Sequence, residues 1–129
     1  MFRMKTSVVT LIVGVSATAV MAQAPGFTRK VLQQVDLSIP GREAVTARAE
    51  FAPGAAVGRH THPGEEIGYV LEGSVSVEID GVAKTLSAGD TFAIPAATVH
   101  NATNVGTGAA ALVSTYIVEK GKPLATPVK

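Results

Sequence analysis

His60 and His62 stand one residue apart, and Glu66 follows four positions later, in the run Gly54-Ala-Ala-Val-Gly-Arg-His-Thr-His-Pro-Gly-Glu-Glu-Ile-Gly-Tyr-Val-Leu-Glu-Gly73. Side chains on an extended chain alternate faces, so the two imidazoles point the same way. Pro63-Gly64 bends the path, and this turn can bring the Glu66 carboxylate back beside them. Two imidazoles and a carboxylate from one short segment make a facial set suited to a first-row divalent transition metal. Calcium and magnesium take oxygen ligands instead. A one-residue register shift in the turn would put Glu65 on that face in place of Glu66, which otherwise leaves Glu65 solvated. The only other histidine, His100, closes a second strand-and-turn stretch that begins at Gly89. Arg59 is expected to face away from the histidines, and Tyr69 to serve packing.

The elements that would position these groups read as short strands. Gln23 to Arg29 reads as a loose arm, and Val31 to Ile39 as a strand with a bend, stopped at Pro40-Gly41. Glu43 to Phe51 alternates, with Val45, Ala47, Ala49 and Phe51 on one face and Arg48 and Glu50 on the other. Ile67 to Leu71 follows Glu66. Ser74 to Ile79 has strict period two, with Val75, Val77 and Ile79 inward. Asp80-Gly81 then signals a type I′ hairpin into Val82–Leu86. Thr91–Ile94, Val99–Val105 and the apolar Ala109–Glu119 complete the set. Gly121 to Lys129 is expected to fray. Alternation places Val45, Ala47, Gly68, Val70, Phe92, Ile94, Val113, Thr115 and Ile117 toward the interior. That lining is small and apolar, with no arginine clamp. After the first residues no stretch has a period of 3.6, so the fold class is all-β, a sandwich or barrel.

Hydrophobic residues make up 47% of the 129-residue chain and aromatics only 5%, so the core must come from Val, Ile, Leu and Ala. The start is different. Met1-Phe-Arg-Met-Lys5 is positive, Thr6 to Val20 is apolar and uncharged, and Val20-Met-Ala22 puts small residues at the cleavage positions. This describes a secretory signal peptide over residues 1–22, followed by a single domain over 23–129. The apolar run is roughly 15 residues, short of the ~20 that span a bilayer. The expected location is therefore the periplasm or the exterior, with no membrane association after cleavage. Cysteine is absent, which excludes disulfides and a lipid-bearing cysteine; the domain must be held by its own core, by a metal or by oligomerisation. Removing Arg3 and Lys5 from 11 basic and 10 acidic residues leaves a net charge of −1. Nothing in that balance suggests a nucleic-acid partner.

The two stretches resemble the two motifs of the cupin family. The first matches at Gly54, His60, His62, Glu66 and Gly73, and the second at Gly89, Pro95, His100 and Asn104. Ala97 departs from the pattern, which has glycine there. The resemblance covers Gly54 to Asn104, about half of the expected mature chain. It implies a double-sheet jelly-roll β-barrel (a double-stranded β-helix) with His60, His62, Glu66 and His100 around one divalent metal. The donor set suits Fe, Mn, Zn, Ni or Cu.

For function the resemblance implies first a metal-dependent, dioxygenase-like enzyme acting on a small, largely apolar molecule, with Glu66 able to leave the metal and take a proton. Two other readings stand beside it. One is a periplasmic metal or small-ligand binding protein without turnover; the other is a metal with a purely structural role. A homodimer is expected, because small domains gain from covering exposed sheet edges, with residues 31–37 packing across.

Overall fold

A computed structural model of the chain describes residues 23–129. The segment read as a signal peptide lies outside the described residues. Ten strands follow: β1 (Phe27–Asp36), β2 (Arg42–Phe51), β3 (His60–Thr61), β4 (Gly64–Glu72), β5 (Ser74–Ile79), β6 (Val82–Ser87), β7 (Thr91–Ile94), β8 (His100–Asn104), β9 (Ala110–Glu119) and β10 (Thr126–Pro127). They form two five-stranded antiparallel sheets, ordered β1-β2-β9-β4-β7 and β10-β3-β8-β5-β6. The inner faces of the sheets enclose two buried apolar clusters, a larger one and a smaller one around Val45, Ala47, Tyr116 and Val118, within the expected all-β jelly-roll.

The alternation read from the sequence is the packing. Val45, Ala47, Ala49 and Phe51 of β2 are each at most 5% exposed, and Val75 and Val77 of β5 at most 3%. Phe27, Phe51, Val70, Val75, Leu86 and Leu112 belong to the main apolar cluster. The Asp80-Gly81 turn has positive φ at both positions (50° and 82°), as a type I′ hairpin needs. The bend expected in the first strand is a register shift between Val31 and Gln33.

Four expectations change. The arm through Arg29 is not loose, because β1 begins at Phe27 and pairs with β2 from Phe27↔Phe51 onward. The tail does not fray: Thr126 and Pro127 pair with Thr61 and His60. In β9 the inward residues are Leu112, Ser114, Tyr116 and Val118, not Val113, Thr115 and Ile117. That strand is apolar on both faces, so alternation alone does not fix its register, and a shift of one residue exchanges its faces. Tyr69, expected to pack, is 45% exposed.

Between β3 and β4 the chain crosses from one sheet to the other at Pro63-Gly64. Gly64 is needed there because a Cβ would lie 1.8 Å from the Ile117 carbonyl oxygen. This crossing lets one short segment feed both walls of the barrel.

Candidate metal centre

The two sheets contribute separate parts of the site. His60 on β3 lies directly opposite His100 on β8, and His62 follows β3 on the same face. From the other sheet, Glu66 on β4 is the cross-strand partner of Tyr116 on β9. All five side chains are buried, none more than 5% exposed. Glu65 is exposed, so the carboxylate on the inner face is Glu66.

Each imidazole is fixed by a backbone carbonyl. His60 Nδ1–H donates to Gly58 O (2.6 Å), His62 Nδ1–H to Leu124 O (2.6 Å) and His100 Nδ1–H to Thr98 O (2.9 Å). A carbonyl oxygen only accepts, so Nδ1 carries a proton in all three rings, and a ring in its neutral form turns an Nε2 lone pair inward. The potential ligand atoms of the three rings lie within 4.8 Å of one another. His60 Nε2 and His62 Nε2 are 3.2 Å apart. Glu66 Oε1 is 3.6 Å from His62 Nε2, and Oε2 is 4.0 Å from His100 Nε2. Two ligand atoms about 2.1 Å from one ion are about 3.0 Å apart at octahedral right angles and about 3.4 Å apart in a tetrahedron. The 3.2 Å spacing falls between those values, and the 3.6 and 4.0 Å spacings to the carboxylate lie beyond them.

Electrostatics points the same way. Lone pairs facing one another and a carboxylate repel unless a cation or proton lies between them. His100 Nε2 is buried with no hydrogen-bond partner, a costly state for a polar atom. Burial pushes His60 down to about 4 and lowers His100 as well, so both rings are neutral and able to ligate at neutral pH. Burial alone would raise Glu66, but the neighbouring polar groups of His62, His100 and Tyr116 outweigh it and hold the carboxyl below its usual range. Tyr116 is itself shifted upward, by burial first and then by the Glu66 charge, and so remains a phenol. The donor set and its unpartnered atoms fit a divalent transition metal.

The cluster lines a narrow cavity with a free volume of about 20 Å³, walled by Phe51, Val77, Phe92, Ile94 and Leu112. That volume is room for one or two waters. Gly68 keeps it shaped, because a Cβ there would lie 2.0 Å from the Phe92 ring.

The sequence matches the cupin domain family over residues 47–116. The chain belongs to the cupin family. This cupin is 40% identical over 76 residues to germin-like protein 1-1 of Oryza sativa subsp. japonica, covering 54% of the chain and 35% of that protein. It is 35% identical over 78 residues to the HTH-type transcriptional regulator PuuR of Escherichia coli (strain K12), covering 60% and 42%. The cupin thus spans well under half the length of these curated relatives. Among solved structures it resembles an oxalate oxidase in complex with the substrate analogue glycolate (TM-score 0.65, 28% identity, 80% of this chain and 55% of that one). It also resembles KdgF from Halomonas sp. (TM-score 0.63, 28% identity, 75% and 83%).

Reading the sequence missed two residues at the cavity, Tyr116 and Arg29. Tyr116 was hidden by the ambiguous register of β9. Arg29 was assigned to the arm, yet it lines the cavity beside His60, Glu66 and His100. The Phe27-Thr-Arg29 alternation was the available signal. Arg59 is exposed, as expected, and reaches Glu78 at 4.0 Å.

Proposed function

We propose that this cupin is an exported metal-dependent enzyme whose ion is held by His60, His62, Glu66 and His100, with dioxygenase-like chemistry on a small, largely apolar molecule. One observation carries the proposal: three imidazoles whose Nδ1 protons are all engaged by backbone carbonyls aim their lone pairs at one point beside a buried carboxylate. The bound ion would supply Lewis acidity and an open position for substrate. Glu66 holds or takes a proton at a carboxylate oxygen, and Tyr116 stands beside it as its cross-strand partner. The apolar wall excludes water, which strengthens every charge interaction inside. The likeness to an oxalate oxidase supports the oxidative reading. The test is elemental analysis of natively purified protein. About one transition metal per chain is expected, lost in folded His60→Ala and His100→Ala variants. Metal-free native protein that takes up no added Fe(II), Mn(II), Zn(II), Ni(II) or Cu(II) would overturn it.

A second reading is ligand binding without turnover. The nearly filled interior favours it, and the similar segment in a transcriptional regulator belongs to a protein named for regulation. Turnover of no candidate substrate by metal-loaded protein, with tight retention of one, would select this reading.

Export and pairing complete the proposal. Periplasmic or secreted protein beginning at Gln23 by mass spectrometry is the expected product of cleavage. β1 is a sheet edge exposing Val31, Leu32 and Val35 (42–54%), a surface suited to a homodimer. A monomer by light scattering would remove the dimer.

A further inference from the structure

A second constellation approaches the histidine cluster from outside. Beyond the narrow cavity lies a depression of about 510 Å³, within the usual range of about 300–1,000 Å³ for small-molecule sites. Its walls are mainly apolar, among them Ala24, Phe27, Val57, Leu124 and Val128. Among the described residues its charged groups are Arg29 and Arg59, and no carboxylate lines it. Phe27, Arg29, Val57 and His60 line both spaces, so Arg29 stands in the doorway between them.

The two arginines differ. Arg59 is exposed and reaches Glu78. Arg29 enters no ion pair among the described residues, and none of its side-chain nitrogens hydrogen-bonds to protein. Its Nε is buried without a partner. The guanidinium carbon lies 5.4 Å from the Phe27 ring centroid and 5.6 Å from that of Tyr116. Such stacking holds the planar fork in place. The backbone beneath it is pinned as well, because Arg29 N–H donates to Gln23 Oε1 at 2.7 Å. A held, half-buried guanidinium with idle donors is arranged to receive an anion.

The chemistry of the walls limits which anion. Phosphate would leave most of its oxygens against apolar surface, where unpaired acceptors are costly. A carboxylate matches one guanidinium with both oxygens. The remaining walls then call for an apolar body attached to it. Counting charges gives the same sign: a divalent ion and Arg29 together exceed the single negative charge of Glu66 by two, which an anionic ligand reduces.

We propose that the depression binds a carboxylate carried on a small apolar body, an aromatic acid being the simplest case, with the carboxylate on Arg29 at the entrance to the histidine cluster. This rests on the metal reading only for what happens at the reactive end; binding at Arg29 does not require the ion.

Calorimetric titration with benzoate, benzamide, acetate and inorganic phosphate tests it, on wild type, Arg29→Gln and Arg29→Lys, each with and without Mn(II). Metal content is measured separately. Benzoate should bind about ten- to a hundredfold more tightly than neutral benzamide. Acetate and phosphate should both be weaker than benzoate. Arg29→Gln should erase the preference for benzoate over benzamide, Arg29→Lys should retain part of it, and neither should change metal content. Equal affinity for benzoate and benzamide, unchanged benzoate affinity in Arg29→Gln, loss of metal in that variant, or phosphate binding best would each overturn the proposal. Should the variants unfold, the Arg29 Nε–H resonance of the wild type decides, moving with benzoate and staying with benzamide if the proposal holds. A chain that takes up no Mn(II) would sink the metal reading, while the Arg29 dependence in metal-free protein would still settle this one.

Discussion

The two ends of strand β8 carry buried polar side chains on the same inner face, and they are treated in opposite ways. Asn104 is 1% exposed and fully engaged. Its Nδ2 donates to Phe51 O (3.1 Å) and Gly108 O (2.8 Å), and its Oδ1 accepts from Gly106 N (2.9 Å). His100 is 3% exposed, yet only its Nδ1 is engaged and its Nε2 has no partner. Both residues were singled out by motif, and spacing alone could not separate them. Hydrogen bonding does. A satisfied buried amide stitches the turn after β8 to β2, whereas an unsatisfied buried imidazole marks where an absent group belongs.

The comparison can be broken experimentally. Asn104→Leu strands two carbonyls and an amide and should cost about 2–4 kcal/mol in urea unfolding, with metal content per folded chain unchanged. His100→Leu should cost less, about 1 kcal/mol in metal-free protein, because it strands only the Thr98 carbonyl and its inward nitrogen bonds to nothing. Equal losses at the two sites would erase the distinction.

Acid sharpens it. His60 titrates near 4 when folded, against an ordinary value of 6.5. Above 6.5 neither state holds the proton. Between 6.5 and 4 the unfolded chain binds a proton that the native chain refuses, so the stability of metal-free protein should fall as pH falls, with a His60 contribution of up to about 3 kcal/mol that is complete below about 4. His60→Gln should flatten that slope in urea titrations across the same window, while Asn104→Leu should leave it intact.

Two smaller effects follow. Tyr116→Phe removes the hydroxyl of the residue paired across from Glu66 and should weaken metal affinity about tenfold in chelator competition, with little change in metal-free stability. Ala97 sits at φ 56°, the left-handed region that favours glycine, and is exposed. Ala97→Gly should therefore raise the thermal midpoint, by the equivalent of about 1 kcal/mol.

Much of this was legible because the relevant strands have one wet face. β2 and β5 alternate cleanly, and Asp80-Gly81 has no good alternative to a hairpin. Where the chain is apolar on both faces, as in β9, periodicity gives a strand but not its register, and Tyr116 was lost with it. Arg29 was lost for another reason: the start of β1 has only Phe27 to announce an inner face before Arg29 itself. The tail was illegible because its order comes from a contact between residues 62 positions apart, His62 with Leu124, which no local signal encodes.

That contact has a consequence for how the protein is made and handled. The tautomer of His62 is set by the Leu124 carbonyl, so the pocket can be finished only once the chain through Leu124 has been made and folded back. Premature stops or trimming beyond Gly121 would leave a barrel with every conserved-type ligand present and one of them free to rotate. A purification handle fused after Lys129 would hang beside the entrance, and one rich in histidine would compete for the very ion being assayed.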